Sequence, residues 1–504
     1  MTVELDLSDI QGNIVRAYGQ RGFPKARYLF LRIDDADSGR EFVGAISEKI
    51  TTSVTWGIGP NPLEKPNATT NIGFTYKGLV ALELPTASLR GFPQEFIMGM
   101  QARMDILGDD GPSAPENWDP IWQNQEVHIW VSINGRSLED IEDRYKWIHG
   151  LLRKSAKGIV LLSGHRGPGN KKNLSFQDAS VIYDDQGKPK PQEHFGFTDG
   201  ISDPVFEGQN LPPWRVKGRG KLMRDGSWQP LATGEFILGH PDEAQEYPQA
   251  PIPNLLSRNS TFMVYRKLHE NVSAFNTLLD EQSKSFPGGK DLLAAKLAGR
   301  WADNGAPVVD APDKISKQAW DKKFKASNKE EKDAMLSDYN FNDDIDGAKC
   351  PLSAHVRRIN PRGSLEFGES GAFERPGALV DRRRMLRRGL PYGKVEDKTR
   401  DDGNHGIIFM VINADIERQF EFVQQQWINY ANDFKEGNDK EALLGNHNDQ
   451  CPSKVVLQVV KNSEKPPHFV TNIPRLVETR GGDYFFIPSM TALKLIAKGI
   501  VDPT

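Results

Sequence analysis

The sequence predicts an α+β protein in which antiparallel sheets and helices form two ferredoxin-like sandwich domains. Two observations carry this prediction: strand-like and helix-like segments alternate along the chain, and the pattern of the first half returns in the second. A length of 504 residues with 38% apolar content is enough for more than one folding unit. We therefore expect an N-terminal domain over 1–215 and a C-terminal domain over 216–504.

Apolar periodicity places the individual elements. In the first half, strands are expected at 27–33, 78–84, 126–133 and 157–164, and helices at 39–50, 93–107 and 137–154. In the second half, strands are expected at 260–268, 406–415, 454–460 and 483–488, with helices between 271 and 301 and at 416–434. A hydrophilic insert near 313–348, rich in both charges, is predicted to be a surface excursion.

Charge and hydropathy exclude several functional classes. The 64 Lys and Arg residues against 68 Asp and Glu give a net charge of −4, so no basic field exists to attract nucleic acid or anionic lipid. The apolar runs are shorter than the roughly 20 residues that cross a bilayer. The first residues lack the charged start and apolar core of a secretion signal. These features predict a soluble protein, either cytoplasmic or a mature secreted chain.

Three segments concentrate residues that suit chemistry. The stretch 194–204, HFGFTDGISDP, places Asp199 among turn-forming residues, where a carboxylate ordinarily serves as a turn or cap group. In 350–362, CPLSAHVRRINPR, His355 follows small residues and could ligate iron through one nitrogen while a carboxylate holds the other N–H. In 382–393, RRRMLRRGLPYG, a buried arginine would need an anionic partner.

In this order, the three segments resemble the G-x-x-D-G, proximal-histidine and distal-arginine motifs of the dye-decolorizing peroxidases, in a fungal-type form. Shorter stretches that resemble the same family are DIQGNI (9–14), IGFTYKGLVAL (72–82), GRWADNGAPV (299–308) and GGDYFFIPS (481–489). The resemblance therefore covers essentially the whole chain. It implies that family's fold, which is related to chlorite dismutase, and a secreted location alongside the cytoplasmic alternative.

The resemblance also implies one haem b per chain. The haem would be held without thioether bonds, because neither Cys350 nor Cys451 lies in a C-x-x-C-H motif. The family implies His355 as the axial ligand of the haem iron, Asp199 as the distal acid–base group and Arg387 as the distal cation. Whether the two cysteines form a disulfide stays open.

Further positions complete the site that the resemblance implies. Ile407 and Phe409 match the apolar wall beside the iron, and Arg357 and Arg362 are candidate partners of the haem propionates. The carboxylate behind the axial histidine is not decided by the sequence. The candidates for it are Asp439 and Glu441.

Two aromatic residues, Tyr392 and Trp427, match positions at which the family oxidises bulky dyes at the protein surface. Trp427 also fits an ordinary core-facing helical stripe, which repeats at intervals of four, three, four and three residues: Ile416, Phe420, Val423, Trp427 and Tyr430. Surface electron transfer and packing are therefore competing hypotheses for these side chains.

An acidic cluster in the insert suggests a hard-cation site. It consists of Asp338, Asp343, Asp344 and Asp346 around Tyr339, a few residues before the axial-histidine segment. The cluster predicts Mn²⁺ as a further substrate. The alternative is a solvated acidic loop.

The function implied is a haem peroxidase that reduces hydrogen peroxide and oxidises dyes, phenols and Mn²⁺ in one-electron steps. The alternative is a haem-binding or haem-handling protein, which would share the fold and the axial ligand. The distal pair distinguishes the two, because a carrier has no need of both Asp199 and Arg387.

Overall fold

The computed structural model describes residues 4–57, 63–123, 125–155, 158–366, 377–457 and 466–499. Within these ranges, ten strands form one sheet: β1 Lys25–Ile33, β2 Ala68–Phe74, β3 Ile129–Gly135, β4 Ile159–Leu161, β5 Gln177–Ser180, β6 Thr261–Glu270, β7 Leu386–Arg387, β8 Leu390–Tyr392, β9 Gly406–Asn413 and β10 Val477–Ile487. The strand order is β7–β9–β6–β10–β2–β3–β1–β4, with β8 also paired to β9 and β5 to β1.

All pairs in this sheet are antiparallel. The strands of the two halves meet where β10 lies beside β2, with Phe486 opposite Phe74. The antiparallel sheet with its covering helices confirms the predicted α+β class. The domain boundary at 215/216 stays a prediction, since strands from both sides of it share the sheet.

Helices cover the sheet and extend the second half. The longer ones in the described ranges, with the turn that carries His355, are α1 Ala36–Ser47, α2 Leu138–Lys154, α3 Val272–Gln282, α4 Gly289–Ala298, α5 Lys314–Ala326, α6 Lys329–Ser337, α7 His355–Ile359 and α8 Met490–Lys498. Short α-helical turns lie at Gly12–Val15, Tyr76–Ala81, Thr86–Arg90, Gln94–Met98, Met104–Leu107, Pro120–Gln123, Pro213–Val216, Asn254–Ser257 and Ala378–Asp381. Local capping explains the start of α2, where Ser137 and Asp140 form a reciprocal capping box.

Small two-stranded ribbons complete the described structure. They pair His165–Arg166 with Lys172–Leu174, Ile182–Tyr183 with Pro189–Lys190, Lys221–Leu222 with Trp228–Gln229, and Val455–Leu457 with His468–Val470. The strand expected at 454–460 corresponds to Val455–Leu457. Residues 458–460 lie outside the described residues.

The prediction of a strand at 78–84 is wrong. This segment begins as the helical turn Tyr76–Ala81, and the strand is the preceding Ala68–Phe74. The Thr75 hydroxyl caps the turn by accepting the Gly78 N–H at 3.0 Å. A short apolar run fits a strand and a buried helix equally, so periodicity alone did not distinguish them.

Two predicted helices are irregular in the structure. The helix expected at 93–107 is broken after Gln94–Met98, where Gly99 has φ 74°. The helix expected at 416–434 consists of two π-helical segments, Glu417–Glu421 and Val423–Ile428. A π-helical turn adds a residue to each turn and so rotates the following side chains relative to an α-helix.

The sheet curls so that its first half faces its second. The Tyr265 ring of β6 lies 5.8 Å from that of Tyr28 and 5.2 Å from that of Phe30, both on β1. These edge-on contacts fill the interior. They leave the other face of β6, β9 and β10 free to form the wall of a cavity.

The insert folds as helices α5 and α6, which were not predicted from the sequence. Trp320 of α5 is buried and stacks on Phe324 at 4.7 Å, so the insert is packed against the second half. Cys350 is buried and Cys451 is exposed, and both are free thiols. In the described ranges, no helix combines the length and apolar character needed to cross a membrane.

Candidate active site

A cavity of about 300 Å³ lies against the second half of the sheet. Its sheet wall is made by alternate residues of three strands, as the two-residue repeat of a strand requires: Arg266, Leu268 and Glu270 of β6, Ile407, Phe409 and Val411 of β9, and Val477 and Thr479 of β10. Helix α7, the loop 193–204 and the π-helical segments close the other sides. The volume lies within the usual range for small-molecule sites.

Asp199 and Arg387 form an ion pair in the wall of this cavity. The Arg387 Nη1 atom lies 3.1 Å from Asp199 Oδ1. Arg387 sits at the end of β7, and its Nη2 donates to the Ile201 carbonyl at 2.9 Å. The side chains are 40% exposed for Asp199 and 33% for Arg387, so both reach the cavity space. Residues 188 positions apart in sequence thus form one polar unit.

The loop position predicted for Asp199 is confirmed. The segment folds back on itself: the Asp199 N–H donates to the Pro191 carbonyl at 2.9 Å, and Gln192 bridges to Thr198. The Gly200 N–H donates to Asp199 Oδ1 at 2.6 Å, which fixes the carboxylate. Gly200 has φ 78°, a conformation that a residue with a Cβ rarely adopts. We refer to residues 191–199 as the Asp199 hairpin.

His355 is the first residue of α7 and lines the same cavity. Its Nδ1 lies 3.5 Å from the Oε1 atom of the fully buried Glu441. Burial tends to raise the pKa of Glu441, but the adjacent imidazole and the backbone N–H groups of Leu443 and Leu444 hold it below its ordinary value. Asp439, the other candidate, pairs instead with Lys454 at 2.8 Å. Glu441 is therefore the carboxylate behind His355.

The two arginines expected to hold propionates lie elsewhere. Arg357 is fully buried and donates to Asp344 Oδ2 at 3.0 Å and to the Cys350 carbonyl at 2.7 Å. Arg362 donates to the carbonyls of Tyr339 at 2.9 Å and Gly218 at 2.7 Å. Neither side chain lines the cavity. The expectation is corrected because backbone carbonyls already use these guanidinium groups.

A third arginine, Arg384, faces the cavity, although the sequence did not single it out. It lines the cavity, is buried and makes no side-chain hydrogen bond or ion pair with the described residues. Burial lowers its pKa, and Asp381 and Tyr339 partly offset that effect. The run RRRMLRRG contained the signal, but the sequence did not show which of its arginines faces inward.

The apolar wall is assembled as expected from Ile407 and Phe409. Both line the cavity, and the Phe409 ring packs 6.4 Å from that of Phe420 on the first π-helical segment. These apolar side chains limit the space in the cavity that also contains the Asp199–Arg387 pair. The wall also contains two acidic residues, Glu193 and Glu270, which no sequence motif indicated.

The structure contradicts the surface position expected for Tyr392 and Trp427. Tyr392 is 2% exposed and Trp427 1% exposed. The Trp427 indole N–H donates to Asp433 Oδ2 at 2.9 Å, and its ring packs on Phe422 at 5.5 Å. The packing interpretation of the helical stripe holds for its first four residues. Tyr430 is exposed because the π-helical segment ends at Ile428.

A substitution at Trp427 tests the packing interpretation. We expect Trp427→Ser to lower the free energy of unfolding by about 3–5 kcal/mol, the usual cost of removing a large buried side chain, and to lower turnover of a bulky dye and a small phenol in parallel. Denaturant unfolding and the two activities measure this, with the exposed Tyr430→Ser as the matched control. Unchanged stability with a loss confined to the dye would contradict it.

The acidic cluster does not assemble into a cation site. Asp344 is buried and accepts N–H groups of Lys349 and Cys350, both at 2.8 Å, while Asp338 pairs with Lys217 at 2.9 Å. Asp343 and Asp346 are exposed, and Tyr339 points inward to the cavity and Arg300. In the part of the chain that is described, no group of three or more His, Cys, Asp or Glu side chains is arranged to hold a metal ion.

Comparison with known proteins explains this arrangement. Residues 9–168 match the DyP dimeric alpha+beta barrel domain. The chain is 27% identical to the dye-decolorizing peroxidase msp1 of Mycetinis scorodonius over 98% of this chain and 88% of that protein. It is 26% identical to the multifunctional dye peroxidase DyP2 of Amycolatopsis sp. over 97% of this chain and 95% of that protein. Over nearly its whole length, the chain is thus similar to dye-decolorizing peroxidases.

Solved structures of the dye-decolorizing peroxidases confirm the fold. A fungal DyP-type peroxidase from Auricularia auricula-judae matches with a TM-score of 0.73 at 22% identity, over 98% of this chain and 100% of that one. An ancestral D-type dye decolorizing peroxidase matches with a TM-score of 0.72 at 24% identity, over 98% and 99%. The predicted α+β fold is therefore confirmed.

Proposed function

We propose that this chain is a haem-dependent peroxidase that reduces hydrogen peroxide and oxidises aromatic dyes and phenols in one-electron steps. The observation that carries the proposal is the shared cavity, which places a carboxylate-backed imidazole, His355, with the Asp199–Arg387 ion pair. The similar proteins support it, since they are named dye-decolorizing peroxidases, and one similar structure is a dye-decolorizing peroxidase in complex with 2,6-dimethoxyphenol.

The residues of the cavity fit a haem. The Nδ1 atom of His355 lies 3.5 Å from Glu441, so the imidazole would ligate the iron of a haem through its other nitrogen. The inward-facing Arg384 offers an uncommitted cation to a propionate. Apolar side chains fill much of the remaining wall. When bound, haem supplies the redox chemistry of peroxide cleavage.

The protein side chains would then have distinct tasks. Glu441 fixes the orientation of the His355 ring and raises the basicity of the nitrogen that meets the iron. The Asp199 carboxylate accepts a proton from the oxygen of peroxide nearest to it and returns the proton to the departing oxygen. Arg387, 3.1 Å away, stabilises the negative charge that develops between these two transfers.

The distal pair also separates this proposal from a haem-handling role. A haem carrier would need His355 and the apolar lining of the cavity, but an Asp–Arg pair in the same cavity would be useful only where negative charge develops on peroxide. Mn²⁺ has no place in the proposal, because the carboxylates predicted to bind it lie apart.

Reconstitution with haem tests the proposed function. We expect purified protein with one equivalent of haem b to show a Soret band and to oxidise 2,6-dimethoxyphenol and an anthraquinone dye only when hydrogen peroxide is added. A Soret band without peroxide-dependent oxidation would favour haem handling, and absence of the band would remove both haem functions.

Arg387→Leu should retain haem and slow peroxide cleavage by about 10²–10³, the usual cost of removing one group that stabilises developing charge. Haem retention is expected because Arg387 does not contact His355 and its own backbone N–H still donates to Asp203 at 3.0 Å. Stopped-flow mixing with peroxide measures the rate. Arg387→Lys keeps the charge and should lose less, whereas a wild-type rate for Arg387→Leu would exclude it from the reaction.

A further inference from the structure

Two carboxyl groups in the cavity wall, Glu193 and Glu270, lie next to each other, since the N–H of His194, the residue after Glu193, donates to Glu270 Oε2 at 3.3 Å. Glu193 begins the tip of the Asp199 hairpin, and Glu270 is the last residue of strand β6. Glu270 is buried, and Glu193 is partly buried with its remaining surface toward the cavity. The contact therefore joins the hairpin to a central strand of the sheet.

Glu193 holds the hairpin tip closed. Its two carboxylate oxygens accept the backbone N–H groups of Phe195 and Phe197, each at 2.6 Å. Between them, Gly196 takes φ 98°, so the backbone reverses without a Cβ to oppose it. The Glu193 N–H in turn donates to the Phe197 carbonyl at 3.0 Å. Asp199 follows two residues later, so its position depends on this closed tip.

The contact between the carboxyls requires a proton. An ionised carboxylate only accepts hydrogen bonds, so two carboxyl groups bond directly only when one of them is protonated. Burial raises the pKa of Glu193, and its two short backbone N–H bonds oppose this effect because they favour the ionised form. Glu270 receives one long bond, from the His194 N–H at 3.3 Å. Glu270 is therefore the neutral partner, and its hydroxyl donates to Glu193.

We propose that the Glu193–Glu270 pair, which shares one proton, is the device that positions Asp199 against Arg387. The neutral Glu270 anchors the Glu193 carboxylate to strand β6, and Glu193 fixes the hairpin tip by its two N–H bonds. Both are positioning residues, since they act on the reaction through Asp199. The inference rests on the proposed function for the role of Asp199, while the link between the pair and the hairpin conformation stands independently of it.

The proposal gives the hairpin a defined dependence on pH. Burial, reinforced by the negative charge of Glu193, raises the pKa of Glu270 well above its ordinary value. A raised pKa means that the stabilisation is complete below the ordinary pKa of a glutamate and is lost as the pH rises through the folded-state pKa. Ionisation would place two carboxylates in contact, with Asp199 adding to the repulsion.

Other titratable groups surround the pair. Burial lowers the pKa of His194 on the hairpin and that of His405 at the start of β9, the latter to about 4, so both imidazoles are neutral above pH 7. Burial lowers the pKa of the neighbouring His269 as well. Burial raises the pKa of Tyr392 on β8 well above its ordinary value. Arg266 and Arg300 are cations in the nearby wall.

Hydrogen exchange and infrared spectra of the haem-free protein test the pair without using catalysis. We expect a carbonyl stretch of a protonated carboxyl group that disappears in Glu270→Gln, and about tenfold faster exchange of the Phe195 and Phe197 amides in Glu270→Ala, after correction for intrinsic rates. Glu270→Gln retains a donor and should restore the protection. Glu95→Gln, which changes another buried carboxyl whose pKa burial raises to about 7, is the matched control.

In the holoenzyme, we expect the rate of peroxide cleavage in the wild type to fall as the pH rises through the raised pKa of Glu270. The rate should be flat over the same range in Glu270→Gln and should be lower by about tenfold or more at every pH in Glu270→Ala. Wild-type amide protection in Glu270→Ala, or the same fall with pH in Glu270→Gln, would overturn the proposal. If Glu270→Ala does not fold, the infrared band and the Glu270→Gln profile decide. Altered amide exchange with peroxide rates that do not depend on Asp199 would refute the proposed role of Asp199 and leave the pair intact as a structural device.

Discussion

His355→Ala is expected to lose haem, because the side chain that would make the strong protein bond to iron is removed. Changes to groups behind a metal ligand typically cost about 10–100-fold in affinity. Removal of the ligand itself should cost more than that. Haem titration followed by the Soret band measures the affinity directly. Full retention of haem with an unchanged spectrum would refute His355 as the ligand.

The position of His355 allows its side chain to be removed without disturbing the sheet. The residue is the first of α7, where its side chain is 25% exposed toward the cavity and its backbone is not a link in the sheet. Its removal nevertheless leaves Glu441 buried without the imidazole, so the haem-free stability of the variant must be compared with that of wild type. Added imidazole should enter the vacated space and restore the band. His149→Ala, on helix α2, controls for loss of a histidine elsewhere.

Asp199→Asn should keep haem and slow peroxide cleavage by about 10²–10⁴, the usual worth of a positioned acid–base group. The amide has the same shape as the carboxylate, and its oxygen can still accept the Gly200 N–H that the wild type receives at 2.6 Å. The substitution thus removes the proton acceptor and leaves the loop in place. Rapid mixing with peroxide, monitored by the haem spectrum, measures the effect.

Two comparisons sharpen that result. Asp225→Asn changes another loop carboxylate, which accepts the Ser227 N–H at 2.9 Å far from the cavity, and should have no effect. A double variant at Asp199 and Arg387 should lose less than the sum of the two single losses, because the groups are paired at 3.1 Å. A wild-type rate in Asp199→Asn would show that another group transfers the proton.

Most strands of the sheet were predictable because each carries its own apolar pattern. Strands β1, β6 and β9 lie within a few residues of the predicted segments, and helix α2 begins one residue after its predicted start and ends where predicted. The failures occurred where local pattern was ambiguous. The apolar run 78–84 is compatible with a strand or a helix. The π-helical turns within 417–428 depend on tertiary packing, and the spacing of apolar residues in the sequence does not indicate them.

The motifs pointed to three residues that the structure places around one cavity, and they did not point to the groups beside them. His355, Asp199 and Arg387 lie in short segments with distinctive neighbours, so the resemblance could place them. The groups that support them are single acidic or basic residues in ordinary surroundings. Glu441 could not be separated from Asp439, two positions away, until the structure showed one beside the imidazole and the other beside Lys454.

Arginine provides the clearest case of the same limit. Arg357 and Arg362 flank the axial histidine in sequence, yet their side chains turn away and bond backbone carbonyls, whereas Arg384 faces the cavity. Likewise, Tyr392 and Trp427 occupy positions that the resemblance assigns to a surface, and both are buried. A long side chain can reach several neighbours from one backbone position, so spacing alone does not fix its partner.

The sequence by itself determined the family resemblance, the α+β class and the three residues proposed to act on peroxide, because these depend on local periodicity and on motifs held within a few residues. Tertiary structure alone decided the contacts between distant segments. It brought Glu441 to His355, joined Glu193 to Glu270, turned Arg384 inward and separated the acidic residues of the insert. Such contacts depend on how the strands align and on which side chains compete for each buried donor, and neither is encoded in a single stretch of sequence.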